Sequence, residues 1–183
     1  MIARFHLKRI SKIRSYLSKE SCQSLIQALV VSRPDYANSL LYGVPKRLLD
    51  KLQKVQNAAA RIAACIGVRG HITPTLIGLH WLPMERRVHY KILVLTHKSL
   101  HGLAPSHLCQ ALEQPPRRNR RHHHEDKLIV PRYRCKTVGG RAFRVAAPSL
   151  WNELPASLRD NNLTLPIFKK KLKTFLFRLS YLQ

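Results

Sequence analysis

Leu48, Leu52, Val55, Ala59, Ile62 and Ile66 recur at alternating spacings of four and three residues. That is the period that lines side chains along one face of an α-helix. The spacing predicts a helix over 48–66 (LLDKLQKVQNAAARIAACI), and the rest of the chain is organised around it. Arg47, Lys51, Lys54 and Arg61 keep the same rhythm one residue earlier, which sets a basic stripe about 100° around the same helix.

The pattern repeats on both sides. Phe5, Leu7, Ile10, Ile13 and Leu17 predict a short amphipathic helix whose other positions carry Arg4, Lys8, Arg9, Lys12 and Arg14. Ser18 is a suitable N-cap for the next helix, which runs to about Val31 until Pro34 stops or kinks it. Residues 35–43 read as a compact turn or short helix, with Gly43 in a left-handed conformation and Pro45 opening the long helix. Thr73 and Pro74 start a short helix, and Trp81-Leu82-Pro83 makes a corner. A wide apolar surface from Met84 to about His101 predicts a central, well-buried helix ended by Gly102, and Pro105-Ser106 leads into a short one. Leu128-Ile129-Val130 fits a short strand, which Pro131 limits to a sheet edge. Phe143 to Trp151 reads as partly helical with a boundary at Pro148. The last helix, from about Pro166 to Leu179, turns Phe168, Leu172, Phe175, Leu176 and Leu179 inward. Trp81 and Trp151 are assigned to the core. The fold class is mainly α: a helical bundle over 1–112, a basic linker over 113–127, and a small helical C-terminal unit with a short strand over 128–183.

Composition adds a partner to this outline. The chain has 183 residues, 45% of them hydrophobic, enough for one core or two small ones without metals or disulfides. Lys and Arg number 33 against nine Asp and Glu, a formal net charge of +24. Such an imbalance repels itself and favours a polyanionic partner. RNA or DNA fits better than a membrane, because the apolar runs are far too short to span one. Candidate nucleic-acid-binding residues are Arg47, Lys51, Lys54 and Arg61 on the long helix, and Arg117, Arg118, Arg120 and Arg121 on the linker. Lys169, Lys170, Lys171 and Lys173 on the last helix complete the set. Each cluster, taken singly, is equally a solubilising surface. Tyr133, between Arg132 and Arg134, either stacks on a base or packs at the strand edge. Backbone neutralisation of this kind carries little sequence preference.

Other chemistry finds little support. Cys22, Cys65, Cys109 and Cys135 are widely spaced and read as reduced thiols. No charged n-region followed by an apolar stretch opens the chain, and the expectation is an intracellular protein, nuclear or cytoplasmic. His97 and His101 lie one helical turn apart, with His107 and Cys109 nearby, but a surface pair outweighs a zinc site. No metal ligand set and no cofactor is expected. No Gly-x-Ser-x-Gly, P-loop or adjacent Asp-Asp occurs, so the chain is expected not to be an enzyme.

Four stretches resemble, in order and with similar spacing, the C-terminal part of the proteins of non-LTR (LINE-type) retrotransposons of the jockey-like and chicken-repeat-like kinds. They are SRPDYANSLLYGVPKRLLDKLQKVQNAAARI (32–62), HITPTLIGLHWLPMERRVHYKILVLTHKSLHGLAPSHL (71–108), VPRYRCKTVGGRAFRVAAPSLWNELPASLR (130–159) and FKKKLKTFLF (168–177). The resemblance implies the region just downstream of a reverse-transcriptase palm, with a thumb-like helical bundle and a C-terminal extension that hold template RNA and RNA/DNA duplex by their backbones. It departs at Pro34-Asp35-Tyr36-Ala37, where family members commonly have Leu-Asp-Tyr-Cys. The metal-binding aspartate pair of the polymerase palm has no counterpart. The expectation is therefore a non-catalytic fragment of an RNA-directed DNA polymerase from a truncated element. The rivals are a part of an active polymerase, with its palm supplied upstream or in trans, and an inert product of the truncated element.

Overall fold

In a computed structural model of the chain, residues 2–67, 69–112, 127–135 and 138–182 are described. Among them the structure is mainly helical, with no strand. The helices are α1 (Ile2–Ile13), α2 (Lys19–Ile26), α3 (Ser32–Asp35), α4 (Lys46–Ala64) and α5 (Ile72–Gly78). They continue as α6 (Met84–Leu100), α7 (Ser106–Gln110), α8 (Phe143–Asn152), α9 (Ala156–Arg159) and α10 (Leu165–Tyr181). No helix among the described residues is long and apolar enough to cross a membrane. The chain forms two compact units, one of Met1–Asn38 with Val44–Arg87, the other of Ser39–Gly43 with Val88–Gln183. This division follows contacts, whereas the boundaries at 112 and 127 follow composition. Helix α6 starts in the first unit and belongs to the second from Val88 onward.

In the first unit α4 packs against α1, α2 and α5. Its buried face is Gln56, Ala59, Ala60 and Ala63, rotated from the apolar stripe that the spacing predicts. Leu52, Val55, Ile62 and Ile66 are only half-buried, and Leu48 is 43% exposed. Alanine explains the rotation: its small side chain lets neighbouring helices approach most closely there. Leu7 and Ile10 of α1 and Cys22 and Ile26 of α2 fill the space. Gln56 is buried because Nε2 donates to the Leu82 carbonyl at 2.8 Å. One turn earlier Gln53 Oε1 accepts from the Met84 amide at 2.9 Å. Together they hold the Trp81-Leu82-Pro83 corner, and Trp81 is buried as expected. At the other end of α4, Cys65 turns left-handed (φ 54°) and Ile66 N donates back to the Arg61 carbonyl. Arg14 donates to the carbonyls of Ile62 (3.0 Å) and Ala63 (3.4 Å), placing a cation at the negative end of the helix dipole.

Local chemistry accounts for several starts and stops. Ser18 caps α2, accepting from Ser21 N at 3.1 Å. Pro34 falls in the last turn of the helical run, whose C-cap is Tyr36. A wider π-turn over Gln27–Val31 precedes it, and helical backbone continues through Asp35. The ring of Pro34 would press on the carbonyl four residues back, and the added residue of the π-turn relieves that crowding. Pro45 caps α4, which begins at Lys46. Helix α5 begins at Ile72, earlier than the Thr73 cap that the sequence suggests, with His71 as N-cap.

The core of the second unit joins α6, α8 and α10. Phe168 has no exposed surface and stacks on His97 at 4.3 Å, with Trp151 at 5.8 Å. Leu172 and Leu176 continue the buried stripe of α10. Phe175, expected in that stripe, is only half-buried. Helix α8 continues past Pro148 rather than ending there. A mid-helix proline costs about 3 kcal/mol, and burying Val145, Leu150 and Trp151 on the same helix offsets that. The strand expected at Leu128–Val130 is absent: that segment has no regular secondary structure, and no strand occurs among the described residues. Instead the Asn152 side chain both accepts from Leu128 N and donates to Leu128 O, each at 2.9 Å. One amide side chain thus supplies the pair of hydrogen bonds a ladder would have made. Gly43 has φ +68°, and a Cβ there would stand 2.9 Å from Arg141 Cγ.

His97 gives the second unit a pH response. Its ring is buried, Nε2 lies 3.0 Å from the Leu163 carbonyl, and His101 stacks on it at 4.0 Å. Burial first, and the neighbouring His101 second, hold its pKa below the ordinary histidine value, against the opposing pull of the Leu163 carbonyl. On acidification below about 6.5 the unfolded chain takes up a proton that the native ring still refuses, so stability falls with pH and stops falling once native His97 also protonates. Urea midpoints measured between pH 7.5 and 5.5 are expected to drop for the native chain. The drop is expected to shrink in His97→Phe; equal drops in both would contradict this assignment.

Candidate nucleic-acid interface

The long basic helix meets two other segments at one groove of the first unit. Lys51 and Lys54 stand three residues apart on the exposed side of α4, a spacing that makes them neighbours on a helix surface. Arg4 comes from the first turns of α1, and Arg33 from the segment leading into Pro34. These four cations line a cavity of about 800 Å³ whose lining contains no carboxylate. Ile2, Leu52 and Val55 give it an apolar floor. Arg33 is steadied by donation from Nε to the Leu29 carbonyl at 3.2 Å. Asp35, close by in sequence, is taken up by an ion pair with Arg87. Four positive charges drawn to one concave surface from three segments raise the local potential and attract phosphate.

The remaining candidates fall elsewhere. Arg47 is exposed on α4 but is not part of that lining. Arg61 donates from Nη2 to the Gly70 carbonyl at 3.4 Å, and its Nε is buried. It sits with Arg14 beside a smaller cavity of about 380 Å³, so its setting is that of a bracing residue. Arg117, Arg118, Arg120 and Arg121 lie outside the described residues. On α10, Lys170 and Lys171 border a second groove together with Arg178. Lys169 is half-buried and Lys173 is exposed away from that lining. Tyr133 rests on the Gly139-Gly140 turn, where a Cβ on Gly139 would come within 3.2 Å of it; its packing partner is a turn, not a strand.

Arg4 and Arg33 are the cations that sequence reasoning left out. Arg4 sits on the polar side of α1, and Arg33 falls within the stretch 32–62. The packing of α1 against α4 brings Arg4 to Lys51 and Lys54, and the packing of the 27–31 turn against α1 and α3 brings Arg33. The His97–His101 pair faces the carbonyls of Leu163, His97 and Asn161. Among the described residues no three His, Cys, Asp or Glu side chains are grouped so as to hold a metal ion. All four cysteines are free, and burial pushes the Cys22 thiol up from its ordinary pKa.

Compared with known protein families, with curated proteins and with solved structures, the chain finds no match.

Proposed function

We propose that this chain binds RNA or DNA without sequence preference and without catalysis, as the thumb and post-palm part of a non-LTR retrotransposon reverse transcriptase. Its partner beyond nucleic acid is a polymerase palm, and its place of action is the nucleus or cytoplasm. The observation that carries the reading is the gathering of Arg4, Arg33, Lys51 and Lys54 around one groove free of carboxylates. The ordered resemblance of the four sequence stretches supports the family part of it. Phosphates seated on these cations release counterions, which supplies affinity that no base contact is needed to provide.

Lysine acetylation of the full chain, with and without a single-stranded RNA of mixed sequence, tests the location. Bound RNA is expected to slow modification of Lys51 and Lys54 several-fold while leaving Lys19, exposed on α2, unchanged. Equal rates at all three positions would overturn the assignment of this groove.

A further inference from the structure

The second unit carries a groove of a different kind. It lies between α9 and α10, has a volume of about 580 Å³, and contains no carboxylate in its lining. Its cations, Lys170, Lys171 and Arg178, all stand on α10; the facing wall of Pro155, Ser157 and Leu158 carries none. Ile167, 48% exposed, and Phe175 complete an apolar floor with Leu158. From Ile167 to Arg178 the lined face of α10 runs about 16 Å, three helical turns. The core-facing stripe of the same helix, Phe168, Leu172 and Leu176, is fully engaged, so this face is a second, separate surface.

The geometry points to a docking site for an amphipathic, acidic helix of a partner protein. Such a helix is itself two-sided: an apolar stripe at i, i+3/i+4 and i+7 fills the floor, and carboxylates along one edge meet the α10 cations. Charge complementarity and the one-sided arrangement select this occupant. A phosphate backbone would satisfy the α10 cations and leave the cation-free side of the groove, next to Ile167, without a partner. The first-unit groove, with cations on each of its three segments, lacks this asymmetry. A flat bilayer does not reach the floor of a concave groove.

Fluorescence anisotropy with the full chain tests the site. The probes are an amphipathic peptide of about 14 residues with a Leu stripe and a Glu edge, the same peptide with Lys in place of Glu, and a scrambled version. The Glu peptide is expected to bind at least about tenfold more tightly than either control. Combining Lys170→Glu, Lys171→Glu and Arg178→Glu is expected to reverse the preference, so that the Lys peptide binds more tightly. The exposed single change Ile167→Ser is expected to weaken Glu-peptide binding about tenfold with the thermal midpoint unaltered. The proposal is overturned if the Glu peptide binds no better than the scrambled one, or if neither variant changes the preference. It is also overturned if Ile167→Ser weakens binding of a mixed-sequence RNA, or of phosphatidylserine-containing vesicles, as much as it weakens peptide binding. Because the site lies in the other unit, such a failure leaves acetylation of Lys51 and Lys54 unaffected and is distinguishable from failure of the RNA reading.

Discussion

Replacing Arg4, Arg33, Lys51 and Lys54 together by Gln is expected to lower affinity for single-stranded RNA on the order of 10²-fold at 0.1 M salt. The magnitude follows from counterion release. Each phosphate neutralised on a single strand contributes about 0.7 to the slope of log affinity against log salt. Four contacts therefore contribute about 3, and extrapolation from 1 M to 0.1 M salt gives two to three orders of magnitude. None of the four holds a carboxylate among the described residues. Lys51, Lys54, Arg4 and Arg33 are exposed, and surface substitutions of this kind change stability little. Lost affinity with an unchanged urea midpoint would thus report on binding. The same four changes in a chain whose other cations carried the RNA would leave the slope nearly intact.

Phe168→Ala is expected to destabilise the second unit by about 3–5 kcal/mol. The ring has no exposed surface and contacts both His97 and Trp151, and aromatic pairs of this type add about 0.5–1.5 kcal/mol beyond area burial. Domains are stable by about 5–15 kcal/mol in all, so the loss takes much of the unit's margin. Phe175→Ala, at a half-buried groove position, is expected to cost clearly less. Urea unfolding separates the two; equal losses would mean that both rings are core residues, as the helical spacing alone suggests.

That pair of phenylalanines shows where the sequence is readable and where it is not. Helical periodicity locates α1, α4, α6 and α10 to within a few residues, because each carries a strong apolar stripe and a clear stop such as Gly102 (φ +68°). Periodicity does not say which part of a wide stripe meets a neighbour. In α4 three alanines decide that, and Leu48 is left at the surface. In α10 Phe175 faces a groove instead of the core. The helix boundary expected at Pro148 failed for a reason visible only in the fold. The buried neighbours of Pro148 hold α8 together across it, whereas a π-turn accommodates Pro34. The strand at Leu128 failed because a side chain, Asn152, supplies the partner that a second strand would have given. Of the candidate interface, the contribution of α4 was legible as a row of cations. The contributions of α1 and Arg33 were not, since they depend on tertiary packing that no local pattern encodes.

The binding of RNA by the native chain as a function of salt tests the central claim most directly. Anisotropy of a labelled, mixed-sequence single strand, titrated from 0.05 to 0.3 M KCl, is expected to give a log–log slope of about −3 or steeper, the same for unrelated sequences and flattened by about 3 in the four-Gln variant. A slope near zero for the native chain, or one that the variant leaves unchanged, would contradict it.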